Sequence, residues 1–314
     1  MTGPQDHLAE QGRIPDQARP YPADNPHDSQ VRPDDLQARL ERLPPNHPSS
    51  PYRDDGSRKP PPPDLTKYEL PFPDESDSPA DSELADQPRT APDGSWDWKG
   101  RHLTPEESRA ADHGLAYFRD MEGRDAYGNY GDHGLTPAMR RIEAQLDHGN
   151  LVADTEKFAL KDPDRFKEKL ADRIALQPDE SVANLISKIH DGIRYTFEYD
   201  DEHYTEGVYN TEACIKRHGY ELTIRKPRWD GEEYKGINSQ WRDGSSGLLF
   251  EIQFHTHASW ETKQKTHMAY DRLSDPRTQP EERDALRSFQ RRAAESVPIP
   301  PGALDIPYYR KEGS

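Results

Sequence analysis

The stretch from Leu248 to Thr256 constrains the fold of this chain most. Its residues alternate between large apolar and polar side chains, and the polar positions are Glu251, Gln253 and His255. A period of two is typical of a β-strand with one buried face. A strand that presents a carboxylate, an amide and an imidazole side by side resembles the floor of an active site. A solvated face of a sheet is the alternative interpretation.

Composition divides the chain. Hydrophobic residues make up 31% of it, and it contains 30 prolines. In an ordinary globular chain the apolar residues, with glycine included, make up about 45–50%. Proline, aspartate, serine and arginine dominate residues 1–95, so we predict a disordered leader there. A short helix over Asp34–Leu43 is the exception. We predict one folded domain over residues 96–300 and a proline-rich tail over 301–314.

Charge and cysteine content exclude several classes of protein. The formal net charge of −17 argues against nonspecific binding to nucleic acid. No run of about 18 apolar residues is present, and the N-terminus has no apolar signal segment. Cys214 is the one cysteine in the sequence, which rules out an intramolecular disulfide. We therefore expect a cytoplasmic protein with no membrane partner and no nucleic-acid partner, with export as an effector left open.

Helix and strand signals alternate through the folded part. Thr104 followed by Pro105 and Glu107 is a strong helix start. Further helices are predicted from Thr136, over Ser181–Ile189, over Tyr204–His218, through Trp260 to Tyr270, and over Glu281–Glu295. Strands are predicted at Ile193–Tyr199, Tyr220–Lys226, Gly236–Arg242 and Leu248–His255. The predicted fold class is α+β, with a mixed sheet of four to five strands and helices packed on it.

Cations recur every four residues near the start of the domain, at Lys161, Arg165 and Lys169. If this segment is helical, the three side chains share one face. Such a line of cations can hold a polyphosphate. The alternative is a solvated helix face balanced by neighbouring carboxylates.

Two carboxylates complete a candidate site, with Asp191 just before a strand and Glu251 on a strand face. Arg194 and Lys226 add cations, and Tyr234 stands in a glycine-containing loop. Magnesium takes one or two carboxylates together with phosphate oxygens, and cations neutralise the remaining phosphate charge. The pattern therefore indicates Mg²⁺-dependent transfer to or from a nucleotide, whose base a tyrosine can stack on.

The order of these motifs resembles the synthetase domain of the RelA/SpoT family, the alarmone synthetases. The matching pieces cover roughly residues 160–270. They are Lys161 with Lys169, Gly192-Ile193-Arg194, Tyr234-Lys235-Gly236-Ile237-Asn238, Glu251-Ile252-Gln253-Phe254-His255-Thr256, and Trp260 with His267 and Tyr270. The resemblance implies a nucleotidyltransferase-like synthetase fold.

The resemblance implies transfer of the β,γ-pyrophosphate of ATP to the ribose 3′-hydroxyl of a purine nucleotide, with Mg²⁺. By position, Lys161 and Lys169 hold the ATP phosphates, Arg194 stacks on the adenine and Tyr234 stacks on the acceptor base. Glu251 binds Mg²⁺ or activates the 3′-hydroxyl, with Asp191 as the second metal carboxylate. The remaining candidate nucleotide-binding residues are Arg165, Lys226, Lys235, Asn238, Gln253 and His255.

Several positions depart from the family pattern. Ala159 stands where the family has an arginine, and Ile189 stands where it has the magnesium aspartate, so Asp191 is the nearest carboxylate. Asn238 and His255 replace a histidine and an arginine. These changes resemble divergent relatives that accept adenine nucleotides. We therefore predict ADP, ATP or AMP as acceptor alongside GDP and GTP. The product then serves as an alarmone, or the reaction depletes ATP as a toxin does.

Two other functions remain open from the sequence. The first is a metal-dependent hydrolase or nuclease built on His255, His257 and His267. The second is an inactive module that binds a nucleotide or a partner. Whether the product is a signal or a toxin, residues 1–95 are a candidate segment for delivery or for binding an immunity protein.

Overall fold

The computed structural model describes residues 87–125 and 128–312. The predicted helix over Asp34–Leu43 and most of the predicted leader lie outside the described residues. The first described elements are three short antiparallel strands, β1 (Arg89–Thr90), β2 (Trp96–Trp98) and β3 (Arg101–Leu103). Trp96 is fully buried, so this small sheet is anchored in the main core.

Helix signals in the sequence correspond well to the helices observed. The Thr104 side chain accepts a hydrogen bond from the Glu107 amide, and the Glu107 carboxylate accepts one from the Thr104 amide, so the predicted capping box begins α1. The helices are α1 (Pro105–Glu122), α2 (Leu135–Glu143), α3 (Thr155–Phe158), α4 (Pro163–Leu176), α5 (Val182–Ser187), α6 (Tyr204–Arg217), α7 (His257–Lys265), α8 (His267–Ser274) and α9 (Pro280–Glu295). The prediction of a single helix from Trp260 to Tyr270 is wrong, because the helix is interrupted at Thr266 between α7 and α8.

The main sheet contains six strands. They are β4 (Asn150–Leu151), β5 (Arg194–Tyr199), β6 (Tyr220–Pro227), β7 (Ile237–Asp243), β8 (Leu249–Thr256) and β9 (Tyr309–Arg310). Their order is β4-β5-β8-β7-β6-β9, with β5 and β8 parallel and the other pairs antiparallel. The predicted α+β class with a mixed sheet is confirmed. The sheet exceeds the predicted four to five strands because two-residue strands extend both edges, one of them from the C-terminal segment.

Alternation along β8 sets the two faces of the sheet. Phe250, Ile252 and Phe254 are fully buried in the hydrophobic core, as the sequence predicts. Helix α6 covers this apolar face, and its buried Tyr204 donates a hydrogen bond to the Phe254 carbonyl at 3.0 Å. Burying each of these side chains is worth about 1.5–3 kcal/mol. A slip of one residue would expose the whole apolar set, so the side-chain direction of the intervening polar residues is fixed.

No helix within residues 87–125 and 128–312 has the length and apolar character that crossing a membrane requires.

Candidate functional site

Strand register brings the predicted polar residues onto one face of the sheet. Arg194 of β5 lies opposite Glu251 of β8, and Gln253 of β8 lies opposite Asn238 of β7. Lys226 of β6 lies opposite Asn238 in turn. We call these five residues the polar face. Four adjacent strands of the sheet therefore hold two carboxamides, two cations and one carboxylate side by side.

Lys161 and Lys169 meet at Asp191. The Nζ of Lys161 is 3.0 Å from Asp191 Oδ2, and the Nζ of Lys169 is 2.5 Å from Oδ1. Lys161 is not on the helix, contrary to the prediction, because Asp162 caps α4 and the helix begins at Pro163. Its backbone instead runs beside β5, where the Lys161 amide donates to the Gly192 carbonyl at 2.9 Å.

This cluster carries one anion between two cations. Burial acts to raise the pKa of Asp191, but the ammonium groups of Lys161 and Lys169 hold it well below its usual range. Burial also lowers the pKa of Lys169, and the charge of Asp191 opposes that effect. Asp191 is therefore ionised at neutral pH, and a net positive charge of one remains at the cluster.

His190 connects the cluster to the polar face. Burial lowers the pKa of its imidazole, the charges of Asp191 and Glu251 raise it, and those of Lys169 and Arg173 lower it. Charges act on a group in this way only over short range. The charges of the lysine–aspartate cluster and of Glu251 therefore both act on the pKa of His190. The Glu251 amide also donates to the carbonyl of Ile193, two residues after Asp191, at 3.0 Å.

Arg165 is directed away from the other two cations. Its guanidinium bonds Glu168 at 2.9 Å and Asp271 at 2.5 Å and lies over the ring of Trp98. The structure therefore does not support a shared polyphosphate site for Lys161, Arg165 and Lys169.

Arg173 was missed by the sequence reasoning. It lies one helical turn beyond Lys169, so the four-residue spacing, continued by one step, was the signal that could have found it. In the part of the chain that the structure describes, its buried Nε has no hydrogen-bond partner. An unpaired buried donor beside Asp191 and His190 makes Arg173 a cation available to an anionic ligand.

The tyrosine loop is tied to the end of β8. Tyr234 donates to Asn238 Oδ1 at 2.9 Å, and its hydroxyl lies 2.8 Å from His255 Nε2. Burial lowers the pKa of His255 well below its usual value, so the ring is neutral and its Nε2–H donates to Tyr234. The other ring nitrogen, Nδ1, is 2.9 Å from the hydroxyl of Ser259 on α7. The network fixes both Tyr234 and Asn238.

His255 itself has no exposed surface. The predicted contact between His255 and a nucleotide is not supported, because both ring nitrogens are used inside the protein. Its position on the tyrosine network makes it a support for the loop. Lys235 is also used locally, since its Nζ donates to the Trp229 carbonyl at 2.9 Å.

Glu251 is held by its neighbour on the strand. The Nε2 of Gln253 donates to Glu251 Oε1 at 2.6 Å, and Lys263 of α7 donates to Gln253 Oε1 at 2.5 Å. Among the described residues, Glu251 Oε2 has no hydrogen-bond partner. Arg194, on the adjacent strand, likewise has no side-chain hydrogen bond or ion pair within residues 87–125 and 128–312.

These contacts limit which residues can bind a metal. No group of three or more histidine, cysteine, aspartate or glutamate side chains suited to a metal occurs among the described residues. His257 contacts Glu198 and Asp200, and His267 is 3.3 Å from Asp271, so the histidines proposed for a hydrolase do not converge. Asp191 and Glu251 do fit Mg²⁺, which needs only one or two carboxylates when phosphate oxygens supply the rest.

Two cavities of the fold lie away from this site. One of about 410 Å³ is lined by Glu212, Arg225 and Tyr309, among others. Arg225 lies on the opposite side of the sheet from Lys226 and forms a buried ion pair with Glu212 at 2.9 Å. The second, of about 430 Å³, lies beside the loop between α1 and α2. Neither cavity is lined by residues of the polar face. Glu251 and Gln253 are buried, whereas Arg194, Lys226 and Asn238 are partly exposed.

Comparison with solved structures found similar chains at low sequence identity. A GTP pyrophosphokinase family protein from Streptococcus pneumoniae is 15% identical, with 62% of this chain and 90% of that chain covered and a TM-score of 0.38. Small alarmone synthetase 1 from Bacillus subtilis, bound to its product pppGpp, is 13% identical, with 60% and 86% covered and a TM-score of 0.33. A chain in the structure of the Type VI effector Tas1 with its immunity protein is 14% identical, with 61% of this chain and 96% of that chain covered and a TM-score of 0.31.

Neither the protein-family models nor the curated proteins compared with this chain match it. The structural neighbours are pyrophosphokinase-family proteins and alarmone synthetases, the class that the sequence motifs resemble.

Proposed function

We propose that this chain transfers the β,γ-pyrophosphate of ATP to the 3′-hydroxyl of a purine nucleotide. The observation that carries the proposal is the convergence of Lys161 and Lys169 on Asp191, three residues before Arg194, which lies opposite Glu251 in the sheet. The two lysines come from different segments and are eight residues apart, yet they meet at one anion. A site that already binds one buried carboxylate with two ammonium groups is suited to the phosphates of a nucleotide.

The donor half of the site consists of cations. Lys161 and Lys169 bind the phosphates of ATP, and Arg173 adds the unpaired guanidinium one turn further along α4. Asp191 pairs with both lysines, so the lysines exchange one anion for another when ATP binds. Arg194 has no competing partner among the described residues and stacks on the adenine.

The acceptor half is built on β6, β7 and the tyrosine loop. Asn238 Oδ1 is already bonded to Tyr234, which leaves the amide nitrogen of Asn238 to donate to the acceptor. The partly buried ring of Tyr234 stacks on the base, and its hydroxyl stays bonded inside the protein. Lys226, Lys235 and Gln253 complete the acceptor side, with Lys226 supplying positive charge for the acceptor phosphates.

The chemistry needs one proton acceptor. Glu251 Oε2 takes the proton of the 3′-hydroxyl, the hydroxyl oxygen attacks the β-phosphorus, and the bond from that phosphorus to the α-phosphate oxygen breaks. AMP leaves with the electron pair of that bond. When bound by Asp191 and Glu251, Mg²⁺ would neutralise charge on the phosphate oxygens.

We infer adenine nucleotides (AMP, ADP, ATP) as acceptors alongside GDP and GTP, because Asn238 and His255 make the acceptor side differ from the family pattern. The product then acts as an alarmone, or the reaction removes ATP as a toxin does. Induced expression in bacteria separates the two. Growth arrest with falling ATP indicates a toxin, whose natural partner would be an immunity protein, whereas product accumulation at normal ATP indicates signalling.

The direct test uses γ-labelled ATP, Mg²⁺ and each of the five acceptors. We expect label in a nucleotide with a 3′-pyrophosphate and loss of that product in Lys169→Met. The matched control is Lys157→Met, because Lys157 is exposed and, among residues 87–125 and 128–312, forms an ion pair only with Asp154. Absence of labelled product with every acceptor at high enzyme concentration would favour the inactive binding module.

A further inference from the structure

Lys263 is the cation that the proposed reaction leaves without a role. It lies on α7, which begins directly after β8 and is turned back over the strand by the capping pair of Thr256 and Ser259. Ser259 contacts His255, and Lys263, one turn later, contacts Gln253. One face of α7 therefore touches two successive polar residues of β8.

The contact made by Lys263 is well defined. Its Nζ is 2.5 Å from Gln253 Oε1 and 4.5 Å from the centre of the Trp260 ring, so its end is held from two sides. Gln253 is itself buried. Burial and the charge of Arg194 lower the pKa of Lys263 to about 7, while the charge of Glu251 opposes this. Either form of the amine carries hydrogens and can donate to an oxygen.

Chemistry fixes the orientation of the Gln253 amide. An ionised carboxylate accepts hydrogen bonds only. The amide nitrogen must therefore face Glu251, where the distance is 2.6 Å, and the amide oxygen then faces Lys263, which donates to it in either form. Without Lys263, the amide would lose the contact that fixes its oxygen.

The same arrangement keeps Glu251 available for chemistry. Asp191 is contacted directly by two lysines, which occupy both of its oxygens. Glu251 is separated from Lys263 by an amide, and only its Oε1 is occupied within the described residues. An amide between the amine and the carboxylate orients the carboxylate without forming an ion pair with it.

We propose that Lys263 is a positioning residue for pyrophosphate transfer: it holds the Gln253 amide, which holds Glu251 with Oε2 directed to the acceptor. This inference rests on the proposed function for its catalytic consequence. It assigns to α7 a part in the reaction that the sequence motifs do not.

The first measurement does not depend on activity. Protein labelled with ¹⁵N-glutamine gives side-chain amide signals, and the Gln253 signal is identified by its loss in Gln253→Ala. We expect hydrogen exchange at this amide to quicken about tenfold in Lys263→Met, the equivalent of losing one hydrogen bond. Lys263→Arg keeps a donor and is expected to keep the protection. The control is Lys265→Met, an exposed lysine on the same helix that lies 3.6 Å from Glu261.

The second measurement is steady-state transfer. Lys263→Met is expected to lower kcat about tenfold with the KM for ATP nearly unchanged. In a Gln253→Ala background the same substitution should have no further effect, because Lys263 acts through Gln253. Unchanged exchange, a raised KM with full kcat, or additive losses would each overturn the proposal. If the wild-type chain transfers nothing, the proposed function fails, and the exchange rate alone decides whether Lys263 fixes the amide.

Discussion

Replacing Asp191 by asparagine tests the cluster on which the donor site depends. The substitution keeps the size of the side chain and removes the one negative charge between Lys161 and Lys169, whose side chains are 19% and 29% exposed. Breaking a fully buried pair by removing one partner costs about 3–5 kcal/mol. Partial solvent access to the lysines reduces this, so we expect the free energy of unfolding to fall by about 2–3 kcal/mol at pH 7.

Anion binding should change in the opposite direction. In the wild-type protein, inorganic pyrophosphate must displace the Asp191 carboxylate from both lysines. In Asp191→Asn it meets two unpaired lysines, and we expect binding about tenfold tighter, or about 1.4 kcal/mol. Transfer should nonetheless fall, because a carboxylate suited to Mg²⁺ is gone. Urea denaturation measures the first effect and isothermal titration with pyrophosphate the second.

The control is Asp154→Asn, whose exposed pair with Lys157 is expected to contribute less than about 1 kcal/mol. The pKa of Asp191 is lowered from its ordinary 3.8, so its stabilising effect is present above pH 3.8 and is lost as the pH falls through the lower folded-state value. The gap in stability between the wild type and Asp191→Asn should therefore narrow below pH 3.8. Equal stability and equal pyrophosphate affinity at pH 7 would refute this account of the cluster.

Three further predictions follow from other contacts. Glu251→Gln should reduce transfer at least about 100-fold while the melting temperature stays near that of the wild type, since glutamine keeps the shape and the bond from Gln253; near-normal turnover would remove Glu251 as the proton acceptor. Gly236 has φ +140°, and a Cβ there would lie 2.9 Å from the His255 ring, so Gly236→Ala should cost about 1–3 kcal/mol and raise the acceptor KM, whereas Gly247→Ala, with open space, should leave that KM unchanged. Lys263 binds fewer protons in the folded state between pH 7 and 10.5, so wild-type stability should gain about 1 kcal/mol over Lys263→Met from pH 6 to pH 8; parallel profiles in urea melts would contradict this.

The sheet and the placement of its polar residues were predictable from local pattern. Alternation along β8 separates Phe250 from Glu251, and a buried apolar face leaves only one register possible. Helix signals such as Thr104 with Glu107 are equally local. The family motif pairs Lys161 with Lys169, and the two lysines do meet at Asp191. They do not share a helix face, because α4 begins at Pro163.

What the sequence did not predict depends on contacts between distant segments. Arg165 shares the four-residue spacing of the other cations. Its guanidinium instead contacts Trp98 and Asp271, which are distant in the sequence. A spacing of four cannot distinguish Arg165 from Arg173 on either side of Lys169. His255 is buried because α7 folds back over the end of β8. The capping pair of Thr256 and Ser259 was the sequence signal for this helix start.

The most direct test of the central claim is to count products by ³¹P NMR with ATP, Mg²⁺ and one acceptor. Transfer through the site of Lys161, Lys169 and Glu251 predicts AMP and 3′-pyrophosphorylated nucleotide in a one-to-one ratio. No nucleoside monophosphate should form when ATP and the acceptor are both replaced by their 3′-deoxy forms, because ATP is itself a proposed acceptor. Release of ADP with inorganic phosphate, or AMP formation that does not depend on a 3′-hydroxyl, would contradict it.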